Sequence, residues 1–173
     1  MQIHRLPIEP MTAEAFAPFG ELIEPRSRPA DGRRFFPIDF QIDGRTTVDV
    51  IWQPIEGRRF RLLERHFNVT QSFIPLEGAS AVVAVAAPTD LDDPEAIPRP
   101  EEVRAFLIEP GKGYAYRTGT WHSLDRYLLG PPGASFVILN VDPNPTQVVD
   151  YAERFGVEFE VDPSARAANP EAS

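Results

Sequence analysis

Two stretches of the chain hold side chains that could act together on a small molecule. One is Glu64 to Gly78, ERHFNVTQSFIPLEG; the other is Gly111 to His122, GKGYAYRTGTWH. They contain two of the chain's three histidines, His66 and His122, while His4 stands outside any comparable pattern. Glu64 and His66 are two residues apart, so on a strand both point to one face. Gln71 opens the next apolar segment, within reach of that face. A carboxylate, two imidazoles and an amide can work in two ways. They can ligate a divalent metal that lowers the pKa of a hydroxyl. Without a metal, Glu64 or His66 can act as general base and His122 as general acid, each step contributing ~10²–10⁴-fold.

A single strand histidine is ordinarily a hydrogen-bonded structural residue, so the weight rests on His66 and His122 being paired. Period two turns Arg65 away from Glu64 and His66. That leaves Arg117 as the better basic residue for an acidic ligand, with Lys112 as a second. Tyr116 and Trp121 read as pocket wall or core.

The elements that must position these residues are short strands. Nineteen prolines and eleven glycines in 173 residues break long helices and favour tight turns. Hydrophobic residues make up 42%, enough for a core in a single domain. Alternating segments over 33–42, 46–54 and 58–67 predict half-buried strands, followed by Gln71–Pro75. Ala79–Ala87 is apolar on both faces and should be covered on both. Residues 103–124 and 134–142 continue the strand pattern. Met11–Gly20 predicts a helix capped by Thr12, with Glu14 in its first turn and Gly20 as its stop; a loop to about Ala30 follows. Thr146–Gly156 predicts a closing helix with Thr146 as cap and Gly156 as stop. Pro88–Glu102 reads as an acidic, proline-rich loop, and the polar stretch from Pro163 as a disordered tail. The expected unit is one domain over residues 1–162.

Charge and composition exclude several classes. A net charge of −9 repels a phosphate backbone, so nucleic acid is not an expected partner. The basic residues are 16 arginines and Lys112. There is no cysteine, hence no disulfide or thiolate chemistry. The start, MQIHR, is not a secretion signal, and no apolar run is long enough to cross a bilayer, so a cytoplasmic location is expected.

The intervals within the two stretches resemble the two cupin motifs. Glu64-x-His66 takes the place of the first ligand pair, Gln71 that of the carboxylate and Gly78 that of the glycine. Gly111, Arg117 (where the motif has proline), Gly119 and His122 keep the spacing of the second. The wording is similar to the ureidoglycolate lyase family, in Glu64, Arg65, His66, Thr70, Gln71, Phe73, Ile74 and Pro75, then Arg104, Ala105, Phe106, Gly113, Tyr116, Trp121 and His122. The resemblance implies an all-β, double-stranded β-helix of the cupin type, a jelly-roll-like barrel with a short N-terminal and a C-terminal helix. It implies Glu64, His66 and His122 as catalytic residues. It further implies nickel or a similar divalent metal on Glu64, His66, Gln71 and His122, and a small carboxylated substrate near Gln71, Arg117, Tyr116, Trp121 and Lys112. The implied reaction releases urea and glyoxylate from ureidoglycolate, and cupins commonly pair into homodimers through sheet edges.

Three places depart from the family wording: Ser123 where a second histidine is usual, NVDPNPTQ after the last core strand, and residues 42–50. The resemblance therefore carries the fold further than the substrate. A cupin enzyme for another small hydroxy or keto acid, and a non-catalytic acid-binding cupin, are the alternatives.

Overall fold

The computed structural model describes residues 1–166. It is built almost wholly of strands. The first part of the chain supplies β1 (Gln2–Pro10), the short helix α1 (Ala13–Phe16), β2 (Gly20–Ile23) and β3 (Arg45–Gln53). The middle supplies β4 (Arg59–Phe60), β5 (Leu62–His66), β6 (Ser72–Gly78) and β7 (Ala81–Ala86). Then come β8 (Arg104–Ile108), β9 (Gly113–Tyr116), β10 (Trp121–Ser123), β11 (Tyr127–Leu128) and β12 (Ala134–Asp142). The last elements are β13 (Thr146–Asp150), α2 (Tyr151–Phe155) and β14 (Val157–Arg166).

Two sheets form. One runs β13-β5-β10-β7-β8-β1-β14-β4, with β11 also on β7; the other runs β2-β9-β6-β12-β3. β7 explains why both layers of core exist. Its Val83 and Val85 pack with Phe73, Tyr114, Tyr116 and Phe136 of the second sheet. Its Val82, Ala84 and Ala86 pack with Leu6, Leu63, Trp121, Tyr151 and Phe159, because β1 and β14 curl over the back of the same sheet. The apolar run over 79–87 is thus covered on both faces, as expected. This curled, two-sheet architecture with two short helices is the cupin β-barrel. Among the described residues no helix is long and apolar enough to cross a membrane.

Five local expectations change. α1 keeps its Thr12 cap, whose hydroxyl accepts the Ala15 N–H at 3.1 Å, but it lasts only four residues. Gly20 is not its stop: it opens β2, in the stretch expected as loop, and pairs with Tyr116 of β9. A Cβ there would stand 1.9 Å from the Ala115 carbonyl oxygen, so glycine is what lets the two backbones meet. Residues 33–42 form no strand and contribute one bridge, Ile42 to Val69. Alternation shows only that one side of a segment is sheltered, and Pro37 lacks the N–H a ladder needs. Thr146 does not cap a helix. It begins β13, opposite His66, while Asp150 caps α2 by accepting the N–H groups of Ala152 and Glu153 at 2.9 and 3.3 Å. Gly156 does stop α2, at φ 69°. β14 extends to Arg166, so Pro163–Arg166 lies in strand; the rest of the expected tail falls outside the described residues.

Candidate active site

The site is assembled by strand register. His122 on β10 lies opposite Glu64 of β5 on one side and Val85 of β7 on the other. Directly opposed residues of antiparallel strands share a face, so all three look into the space between the sheets. His66 follows by period two. Glu64 Oε1 is 3.7 Å from His66 Nε2 and 3.9 Å from His122 Nδ1, and the imidazole centroids are 5.2 Å apart. One ligand atom from each of the three side chains lies within 4.8 Å of the others.

Neighbouring groups set the tautomer of both histidines. The Thr146 hydroxyl donates to the Asn144 carbonyl at 3.0 Å, so its lone pair accepts from His66 Nδ1 at 2.8 Å. His122 Nδ1 faces the Ser123 carbonyl at 3.1 Å, which can only accept. Both Nδ1 atoms therefore carry the proton, and both Nε2 atoms present a lone pair. Those two Nε2 atoms and Gln71 Oε1 are buried without a partner among the described residues. Such acceptors with no donor are costly to bury, and a cation or a donor-rich ligand resolves the cost.

Electrostatics agree with this arrangement. Burial pushes the His66 imidazole down to about 4, and the Arg126 charge adds to the effect. Burial, then His66 and Arg126, holds His122 well below the ordinary imidazole range. Both rings are neutral near pH 7, the form that ligates metal. Burial raises the Glu64 carboxyl above its usual range, against the opposing pull of Arg126.

The other predicted site residues separate. Tyr116 belongs to the site: its ring stacks on His122 at 4.4 Å with an interplanar angle of 8°. Trp121 does not. It pairs with Ala86, joins the opposite core layer and donates Nε1–H to Thr89 at 3.1 Å. Arg117 lies outside, donating to the Ala17 carbonyl at 3.0 Å and lining a polar cavity with Glu21 and Asp39. Lys112 is exposed and paired with Glu109 at 2.7 Å. In each case alternation along a short strand or turn decided the direction, which spacing from a motif does not reveal. Arg65 does point away from Glu64 and His66, yet it is fully buried under the 88–102 loop. That loop packs on the face opposite the histidines.

One residue escaped the sequence argument. Arg126, in the turn after β10, is buried and aimed at the aromatic wall, with Nε 3.0 Å from the Tyr114 hydroxyl and its guanidinium 3.6 Å from the Phe73 ring centroid. A single arginine between Asp125 and Tyr127 carries no periodic signal. Its burial depends on Phe73 and Tyr114, which distant strands bring to it.

This fold and this site define a cupin with a largely buried cluster of two neutral imidazoles, an amide and a carboxylate. The ureidoglycolate lyase family model matches residues 3–158. A protein named ureidoglycolate lyase from Rhodobacter capsulatus is 34% identical over 154 residues, covering 82% of this chain and 89% of its own. Another from Azotobacter vinelandii is 35% identical over 134 residues, covering 68% and 74%. A third, from Burkholderia cepacia, is 36% identical over 137 residues, covering 68% and 70%. The chain belongs to the ureidoglycolate lyase family.

Proposed function

We propose that this chain is a lyase that releases urea and glyoxylate from ureidoglycolate. The observation that carries the reading is the group of buried, unpartnered acceptors, His66 Nε2, His122 Nε2 and Gln71 Oε1, beside Glu64. The substrate bears a hydroxyl, a ureido nitrogen and a carboxylate on one carbon. Glu64 takes the hydroxyl proton, the freed electron pair closes the carbonyl as the C–N bond breaks, and Glu64 returns the proton to the departing nitrogen. Its place beside both imidazoles suits it to hold that proton between the two steps. His66 and His122 stay neutral acceptors. The acid role expected for His122 in a metal-free mechanism does not suit a ring whose cationic form is so disfavoured.

Imidazole nitrogens with carboxylate and amide oxygens fit a borderline divalent ion such as nickel. His66, His122 and Gln71 would hold it with Glu64 Oε1, and it would supply Lewis acidity for the substrate hydroxyl. Thr146 and the Ser123 carbonyl fix the two rings for that task. The departure at Ser123 lies away from the cluster: its hydroxyl accepts the Ala84 N–H and donates to the Asp125 carbonyl, on the far side of β10.

The test is release of urea and glyoxylate from racemic ureidoglycolate before and after chelation and nickel add-back. Activity lost on chelation and restored by nickel is the expected result. Activity indifferent to the chelator would keep the reaction and remove the metal. No release under any condition would move the reading to a different small hydroxy or keto acid.

We read the enzyme as a homodimer in the cytoplasm. β3 is the open edge of its sheet, and Val48, Val50 and Trp52 on its outer face are 65, 66 and 57% exposed. An apolar edge face on a chain of net charge −9 fits a second copy of itself better than a charged partner. Trp52→Asp is expected to shift the protein from dimer to monomer in light scattering behind size exclusion. An unchanged mass would move the interface elsewhere.

A further inference from the structure

Arg126 is a buried cation whose hydrogen-bond partners are all neutral. It is 4% exposed, and no ion pair among the described residues includes it. Its Nε donates to the Tyr114 hydroxyl at 3.0 Å, Nη1 to the Leu124 carbonyl at 3.0 Å, and Nη2 to the Tyr116 hydroxyl at 3.4 Å. The Phe73 ring closes one face. A guanidinium has five N–H groups, so one remains on each terminal nitrogen, enough for both oxygens of a carboxylate. A charge buried without its counter-charge is unfavourable unless something else supplies it.

Its position relative to the histidines is set by Tyr116. That ring stacks on His122, and its hydroxyl, at the far end of the phenol, meets Arg126. The Arg126 charge acts on Glu64, His66 and His122 alike. The cation and the acceptor cluster thus face the same interior space, one phenol apart. A two-carbon acid has its reacting carbon next to its carboxylate, so it can span the two.

We infer that Arg126 anchors the substrate carboxylate, and that it, in place of Arg117 or Lys112, selects small carboxylic acids for this pocket. The inference rests on the lyase reading for the identity of the acid. The geometry itself asks for an anion, since the guanidinium is buried with two N–H groups unspent. Phe73, Tyr114 and Tyr116 hold the guanidinium in one place, so the anchor is preorganised.

The experiment is calorimetric binding of glyoxylate, glycolate and the neutral glycolamide to nickel-loaded and metal-stripped protein, for wild type, Arg126→Met and Arg126→Lys. Wild type is expected to prefer both acids over the amide. Arg126→Met should weaken the acids by about 30-fold or more while leaving glycolamide unchanged, and Arg126→Lys should recover part of the loss. The same variants should show a raised KM for ureidoglycolate. If Arg126→Met does not fold, the comparison of Arg126→Lys with wild type decides. Acids bound equally by all folded variants would make Arg126 a structural tie between two phenols and overturn the inference. Wild type that binds neither acid also overturns it, and continued urea release would then leave the lyase reading standing. Arg126-dependent acid binding without urea release would retire the lyase reading alone.

Discussion

Glu64→Gln is expected to slow urea release by about 10³-fold, within the range of a lost general base. Glutamine keeps the shape of the side chain and an oxygen acceptor towards His66 and His122, but it cannot take and return a proton. The fold should be intact, because Glu64 is held in place by β5 register and makes no hydrogen bond that supports another element. Stability should be equal or higher. Burial raises the carboxyl pKa of the folded form, so the ionised group costs stability as pH rises through the unfolded value towards neutrality, and the amide removes that cost. In wild type the rate should fall at low pH as Glu64 becomes protonated and can no longer accept the hydroxyl proton. That acid limb should vanish in Glu64→Gln. Steady-state kinetics across pH, with circular dichroism as the control, make the measurement. Full activity in Glu64→Gln would assign the base to another residue.

Arg65→Ala should have the largest effect on stability. The side chain is 0% exposed and donates to Gln147 Oε1 at 2.8 Å, Thr89 Oγ1 at 3.0 Å, and the Asp90 and Asp93 carbonyls at 2.9 and 3.2 Å. Its guanidinium lies 5.0 Å from the Phe67 ring centroid and 4.8 Å from that of Trp121. Truncation strands several acceptors and opens a void beside the indole, at a cost of roughly 3–5 kcal/mol. For a chain of this length that is a fall in Tm of about 10 °C. Arg65→Lys should recover little, since one ammonium cannot meet four acceptors in a plane. Hydrogen exchange should rise first in residues 88–99, where Gln147 and Tyr151 would still bond the Pro94 and Pro98 carbonyls, Trp121 the Thr89 hydroxyl and Arg154 the Glu95 carboxylate. Activity per folded molecule should change little, because Arg65 and the loop lie on the other face of β5 from Glu64. An unchanged Tm would mean that water replaces the guanidinium at no cost.

These two neighbours show where sequence reading succeeds and where it stops. Alternation put Glu64 and His66 on one face and Arg65 on the other, which the fold repeats. It left open what lies on the Arg65 side, because nothing in a local pattern shows that a distant acidic loop will cover that face. The same limit explains residues 33–42 and Gly20. An extended segment and a paired strand have the same sequence alternation. A glycine that stops a helix also looks the same as one that admits another backbone.

The sequence by itself determined a strand-rich fold and the two motif stretches, and the family resemblance those stretches carry pointed to the barrel and to Glu64, His66, Gln71 and His122. Each of these depends on period-two alternation, on turn residues, or on intervals within one stretch, all of which are local. Only the tertiary structure decided which cation is buried against the site's aromatic wall, which aromatic ring stacks on His122, and which histidine nitrogens are free. Those depend on β9, β10 and β13 arriving beside β5 and β6 from far along the chain. A side chain's charge state, tautomer and burial belong to its neighbours in space, and for Arg126, Tyr116 and Thr146 the deciding neighbours are set by the fold.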